Sequence, residues 1–156
     1  MAEIILSNRM QALTDMVTPG TVITDVGCDH GFVSVYLVQK GISPRVIAMD
    51  VRSGPLEHAR EHIREYGLED RIETRLSDGL HSLKTGEAAG MICAGMGGPL
   101  MEKILTEGRE QAKGFRELIL QPQSEIPHFR TFLMEEGYLL MLSLIHISEP
   151  TRHLRI

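Results

Sequence analysis

Apolar residues recur along this chain in two alternating rhythms, and each change of rhythm marks a strand or a helix. Leu6, Met10, Leu13 and Val17 stand at helical spacing behind Ser7 or Asn8 as a cap. They predict an N-terminal helix over residues 4–17, ended by Thr18-Pro19-Gly20. The β-branched run Thr21-Val22-Ile23-Thr24 predicts a buried strand. It breaks at Asp25-Val26-Gly27-Cys28-Asp29-His30-Gly31 into a helix carrying Phe32, Val33, Val35, Tyr36 and Leu37, which runs to Gly41. Val46-Ile47-Ala48-Met49, too short for a helix, predicts a second strand ending at Asp50. From Pro55, the residues Leu56, Ala59, Ile63 and Tyr66 form one helical face that stops at Gly67.

The second half repeats the scheme. Ile72, Thr74 and Leu76 alternate with Glu73 and Arg75 as a less buried third strand before Ser77-Asp78-Gly79. Met91-Ile92-Cys93-Ala94 predicts a fourth strand, then Gly95-Met96-Gly97-Gly98-Pro99 and a helix with Leu100, Ile104 and Leu105. Leu118-Ile119-Leu120 predicts a fifth, followed by Gln121-Pro122-Gln123 and a helix capped by Ser124, with Ile126, Phe129 and Leu133 inside and Gly137 at its end. A sixth strand begins over Tyr138 to Leu142. Strands alternating with helices imply right-handed crossovers and a doubly wound, mainly parallel α/β sheet. Ligands of such sheets sit at the carboxyl ends of the strands, where the strand order switches. Four clusters fall there: residues 25–31, Asp50, residues 77–79 and residues 95–98.

Composition narrows the classes. At 156 residues and 42% apolar the chain suits one domain, and a net charge of −5 advertises neither nucleic acid nor an anionic membrane. Any RNA contact is therefore local, and Arg9 reads as an ordinary surface charge. Two cysteines, Cys28 and Cys93, are too few for a disulfide framework, and no signal peptide or long apolar span occurs. A reduced, cytoplasmic, monomeric protein with no membrane and no metal partner is expected. His58-Ala59-Arg60-Glu61-His62 matches a zinc-peptidase pattern. Its histidines border the buried stripe of a helix set among nucleotide-site elements, so no zinc chemistry is expected. The nine methionines read as core filling.

The turn itself selects among cofactors. Gly27 and Gly31 leave no room for the Gly-x-Gly-x-x-Gly of dinucleotide folds, and an acidic turn repels a pyrophosphate. Asp25-x-Gly27-x-Asp29-x-Gly31 instead resembles the Asp-x-Gly-x-Gly-x-Gly of S-adenosylmethionine-dependent methyltransferases, with Asp29 in place of the middle glycine. That cofactor carries a sulfonium and an ammonium and no phosphate, so carboxylates suit it. Asp25 is placed for its amino group, Asp50 for both ribose hydroxyls and Asp78 for the adenine amine. Gly27 permits the tight turn, and Gly31 lets the next helix start close to the sheet.

Further segments resemble one family. Leu6-Ser7-Asn8-Arg9-Met10, the residue 25–31 turn, Ser77-Asp78-Gly79-Leu80, Gly95-Met96-Gly97-Gly98 and Leu118-Ile119-Leu120-Gln121-Pro122-Gln123 together resemble the bacterial TrmK family over roughly residues 4–142. Those enzymes methylate N1 of adenine 22 in tRNA. This chain departs at Cys28, where serine is common, at Gly31-Phe32 for Ala-Tyr, and at Gln123 for Asn. The resemblance implies a Rossmann-like class I methyltransferase fold, S-adenosyl-L-methionine as cofactor and tRNA as substrate. The implied cofactor residues are Asp25, Gly27, Cys28, Asp29 and Gly31 in the turn, then Asp50 and Val51, then Ser77, Asp78 and Gly79, then Gly95. Acceptor positioning is expected from Asp29, His30, Gly95, Met96, Gly97 and Gly98, with Gln121 and Gln123 as weaker candidates. Adenine N1 has an in-plane lone pair, so alignment matters more than a general base.

Plainer roles compete with several of these. Asp29 and His30 could cap a helix, Asp78-Gly79 could form only a turn, and Gly97-Gly98 could only tighten a strand-to-helix connection. A cofactor-binding remnant without RNA activity and a small-molecule methyltransferase are the alternative functions. Enzymes of this class place a seventh, antiparallel strand between the fifth and sixth, and the TrmK family adds a C-terminal helical hairpin. Fourteen residues follow Leu142 here, and Pro150 interrupts them. Residues 143–156 are therefore expected to be a non-family tail on a methyltransferase domain of residues 1–142. The fifth strand is then left with an open edge, and the chain is poorly soluble and nearly inactive on tRNA.

Overall fold

Residues 3–140, 142–145 and 152–155 of the computed structural model are described, the last two stretches by backbone alone. The strands are β1 (Ile23–Val26), β2 (Val46–Asp50), β3 (Ile72–Leu76), β4 (Gly90–Met96), β5 (Glu117–Pro122), β6 (Leu142–Ile145) and β7 (Arg152–Arg155). Between them lie α1 (Asn8–Asp15), α2 (Phe32–Gln39), α3 (Ser53–Glu65), α4 (Gly98–Glu107), α5 (Arg109–Ala112) and α6 (Ile126–Glu135). They form one sheet in the order β3-β2-β1-β4-β5-β7-β6. Strands β1 to β5 pair in parallel, while β7 runs antiparallel to both β5 and β6. The doubly wound sheet expected from the alternating pattern is present, and its switch point lies at β1, between β2 and β4.

Period-two alternation divides the core between the two faces. Ile23, Val46, Ala48, Ile92 and Ile119 pack under α1, α2 and α3 with Leu13, Leu37, Ala59 and Ile63. Val26, Ile47, Met49, Met91, Cys93, Leu118 and Leu120 pack on the other face against Met101, Ile104, Leu105, Phe129 and Leu133. Met49, Met91 and Met101 fill the core, but Met10 is exposed. At the amino end of β5, the buried Glu117 carboxylate accepts Thr18 N and Thr18 Oγ1, each at 2.9 Å, and so fastens the α1–β1 connection to the sheet.

Several boundaries differ from expectation, each for a local reason. Helix α1 is shorter than residues 4–17: Ser7 Oγ accepts Met10 N at 3.3 Å and starts it, and it ends before Met16. Ser124 does not cap α6; Glu125 does, in a left-handed conformation at φ 54° without a side-chain bond, while Ser124 O accepts Gly98 N. Gly31 serves α3 more than the sheet, since a Cβ there would meet Ala59 Cβ at 3.0 Å. The sixth strand starts only at Leu142.

The largest correction concerns the far edge. The seventh strand that the length after Leu142 seemed to forbid is present, with Leu154 opposite Leu120 and Arg155 opposite Ile119. Four residues are enough, because a strand needs only a partner's free N–H and C=O groups. The middle of the β5 edge, at Ile119 and Leu120, is therefore paired rather than open. Pro150 lies outside the described residues.

Candidate functional site

The carboxyl ends of β1, β2, β4 and β5 open into one cavity of about 790 Å³, roofed on one side by α1. That volume falls in the roughly 300–1,000 Å³ range of small-molecule sites. Its floor is the turn after β1, whose shape follows from where its amides go. Gly27 N and Cys28 N both donate to Met49 O, at 2.8 and 2.9 Å, and Asp29 N donates to Asp50 Oδ2 at 3.0 Å. Gly27 at φ 75° and Asp29 at φ 52° make this fold-back possible. Three successive donors are thus spent on β2. A phosphate needs such donors free, so this turn is built for a cationic or neutral group.

The carboxylates around it agree. Asp50, 3% exposed in the cavity wall, accepts Asp29 N on one oxygen and Arg52 N on the other at 2.9 Å, with Arg52 Nε 3.7 Å from the latter, and each oxygen keeps acceptor capacity beyond its amide bond. Asp25, 5% exposed on the α2 face, accepts the Ser34 hydroxyl at 2.8 Å. Burial, with the Asp50 and Asp29 charges adding, raises its pKa from 3.8 to about 6, and the Ser34 bond opposes the rise. A cation beside Asp25 would relieve that cost. Burial, with the same carboxylates adding, pushes the Cys28 thiol well above its usual range, so it stays protonated and un-nucleophilic.

The expected site residues divide into wall and support. Asp25, Gly27, Cys28, Asp29, His30, Asp50, Val51, Ser77, Asp78, Gly79, Gly95 and Met96 all line the cavity. Ser77, though in the wall, spends its hydroxyl on Gly79 O and Ser82 N, at 2.9 and 3.0 Å, and so shapes the turn that presents Asp78. Gly31, Gly97 and Gly98 lie behind the wall; a Cβ on Gly98 would stand 2.6 Å from Ser124 O. His30 stays half exposed, 3.8 Å from Asp29 Oδ1, and its carbonyl is bonded to His62 Nδ1 at 2.8 Å. His62 of the zinc-like pattern is thereby tied to the turn. Among the described residues, the groups able to share a metal ion converge at the exposed Asp78, His81 and Glu107, not at His58 and His62.

Sequence reasoning missed part of the wall. Ser7, Asn8, Arg9 and Met10 line the cavity from the start of α1, and Phe32 lines it from α2, while Gln121, a weaker candidate from sequence, is also in the wall. Arg9, read from sequence as a surface charge, is half-buried in the cavity lining. The usable signal was a capped polar turn, Ser7-Asn8-Arg9, set just ahead of the first strand. No helix among the described residues is long and apolar enough to cross a membrane.

Comparison with known proteins agrees with this geometry. Residues 6–151 match the family model of a methyltransferase domain. The tRNA (adenine(22)-N(1))-methyltransferase of Bacillus subtilis is 36% identical over 141 residues, covering 90% of this chain and 59% of that protein. The crystal structure of the B. subtilis m1A22 tRNA methyltransferase TrmK superposes with a TM-score of 0.88 at 32% identity, over 98% of this chain and 66% of that one. Streptococcus pneumoniae Sp1610, in complex with S-adenosyl-L-methionine, superposes at 0.91 with 30% identity, over 97% and 72% of the two chains. The chain thus spans about 59% of the length of the curated B. subtilis relative. With its glycine-acid turn, its paired carboxylates and this family match, the chain belongs to the methyltransferase-domain family and, within it, to the bacterial TrmK family.

Proposed function

We propose that this chain binds S-adenosyl-L-methionine and transfers its methyl group to N1 of an adenine in tRNA, at position 22 by family likeness. The observation that carries the reading is the cavity's asymmetry: buried carboxylates and spent amides at β1 and β2, and a nearly uncharged wall at β4 and β5. Bound there, the cofactor supplies an electrophilic methyl group. Asp50 would accept the two ribose hydroxyls, Asp25 would meet the ammonium, and Asp78 would meet the adenine amine. Gly95, with φ 80° and open space where a Cβ would stand, lets backbone approach the acceptor base. No side chain need remove a proton before transfer, because the N1 lone pair is already free. Arg9 in the cavity lining suits a nearby phosphate. Two buried free thiols and an RNA substrate suit the reducing cytoplasm.

Methyl transfer from labelled S-adenosylmethionine to bulk bacterial tRNA, followed by nucleoside analysis, tests this, with 1-methyladenosine as the expected product. Binding of S-adenosylhomocysteine without transfer to any tRNA would mean a cofactor-binding remnant instead. Binding of NAD without S-adenosylhomocysteine would overturn the cofactor.

The raised Asp25 pKa gives a pH signature. A carboxyl whose folded pKa lies above its unfolded value holds its proton more tightly when folded. Its contribution to stability is therefore greatest below about pH 4 and falls as pH rises through about 6. A bound ammonium prefers the ionised form, so binding expels the proton. Cofactor affinity is expected to climb as pH rises through 6 and then level off, and Asp25→Asn to weaken binding and flatten the profile. Calorimetry with S-adenosylhomocysteine between pH 5 and 8 reads this; an unchanged slope in Asp25→Asn would remove Asp25 from the ammonium site.

A further inference from the structure

One side chain of the cavity wall carries an unmet hydrogen-bonding demand. Gln121 sits at the carboxyl end of β5, opposite Ala94 of β4, and alternation puts it on the face of Ile119 beneath α1. It is 2% exposed, and its Nε2 is the buried side-chain nitrogen without a partner among the described residues. An orphaned buried donor is unfavourable, and folded proteins keep few of them without a use. The atom as placed is closed to solvent, so it meets the cavity only when the carboxamide turns. No acceptor among the described residues lies within hydrogen-bond distance of it. What remains within its reach is the cavity, because the terminal torsion of a glutamine is broad and lets the carboxamide turn.

The geometry points to Gln121 as the residue that recognises the acceptor adenine, through that base's N6/N7 edge. This rests on the proposed adenine N1 transfer and adds the group that selects the base. A carboxamide and adenine match as a two-bond pair: Nε2 donates to N7 and the side-chain oxygen accepts from the N6 amine. N1 takes no part in that pair, so its lone pair stays open to the methyl group. Guanine presents O6 where adenine has its amine, and so sets an acceptor against the carboxamide oxygen. Gln121 is thus a specificity residue that orients the base, and the orphaned donor is its empty half-site. Its position between Ala94 and α1 places it on the acceptor side of the cavity, away from the Asp50 end.

The experiment compares tRNA carrying adenosine at the methylated position with tRNA carrying 7-deazaadenosine there. The unaltered chain is expected to lose roughly 3- to 10-fold in kcat/KM on the 7-deaza substrate, which removes the N7 bond and keeps the N6 bond of the pair. Gln121→Leu, which removes both bonds, is expected to lose roughly 10- to 100-fold on adenosine and to treat the two substrates alike. It should keep its affinity for S-adenosylhomocysteine and melt no lower than the parent, because a buried unpaired amide is replaced by an apolar group of similar size. Equal rates of the unaltered chain on both RNAs would overturn the assignment without touching the proposed function, as would discrimination that survives in Gln121→Leu. Absence of transfer to either RNA would overturn the proposed function, and this inference with it.

Discussion

Asp50→Ala is expected to reduce cofactor affinity about 100-fold or more, with a lower melting temperature in the same variant. Each Asp50 oxygen does two jobs, one toward the protein and one toward the cavity. Toward the protein, one oxygen holds Asp29 N and the other Arg52 N, so the carboxylate pins both the turn after β1 and the entry to α3. Toward the cavity, the remaining lone pairs are the acceptors proposed for the ribose hydroxyls. A hydrogen bond to a charged group contributes about 1.5 to 3 kcal/mol, and losing two gives the expected factor. The two orphaned amides add a stability loss of about 1 to 3 kcal/mol each if water does not reach them. Asp50→Asn separates the roles. Its single oxygen and its NH₂ group cannot accept from both backbone amides, yet it stays isosteric, so it should sit between parent and alanine variant in both measurements. Calorimetry with S-adenosylhomocysteine and thermal melting read the two effects. Affinity within about threefold of the parent in Asp50→Ala would show that the ribose is held elsewhere.

The parts of the fold legible in the sequence were those whose pattern is imposed by burial. β2 and the middle of β4 are covered on both faces, so Val46-Ile47-Ala48-Met49 and Met91-Ile92-Cys93 had to be apolar runs. The turn after β1 was legible for a similar reason: its conformation demands glycine at Gly27 and Gly31, and its carboxylates are polar groups where a buried strand has few. β7 was not legible, because Arg152-His153-Leu154-Arg155 offers one apolar residue and draws its order from the β5 edge beside it. Helix α5 is four residues long and has no periodicity to read. The cavity's α1 wall was missed because Arg9 and Met10 look like any exposed helix turn until the helix is laid over the strand ends. Gln121 was seen only as a weak candidate. What singles it out, an amide nitrogen with nothing to bond, exists only in three dimensions.

The glycine pair that opens α4 is where sequence and structure diverge most for function, and Gly98→Ala distinguishes the two readings. As part of the acceptor surface, as expected from sequence, Gly98 could take a methyl group with loss of transfer and little else. In the structure its N–H donates to Ser124 O at 3.1 Å, and a Cβ would stand 2.6 Å from that oxygen and 3.3 Å from Glu125 O. Those are main-chain atoms of the tight connection into α6, which already holds Glu125 at φ 54°, so they cannot swing aside as a side chain would. Overpacking of this kind costs about 1 to 3 kcal/mol, and each kcal/mol lowers the melting temperature of a chain this long by about 2 to 4 °C. Gly98→Ala is therefore expected to melt roughly 5 to 10 °C lower and to lose cofactor affinity and methyl transfer together, as the start of α4 is pushed off the connection between β5 and α6. Gly97→Ala should be milder, since its Cβ would meet the Ser124 hydroxyl at 2.7 Å, and that group can rotate away. Thermal melts and S-adenosylhomocysteine binding on both variants decide the matter. A Gly98→Ala protein that melts and binds like the parent yet transfers no methyl group would return the pair to the acceptor surface.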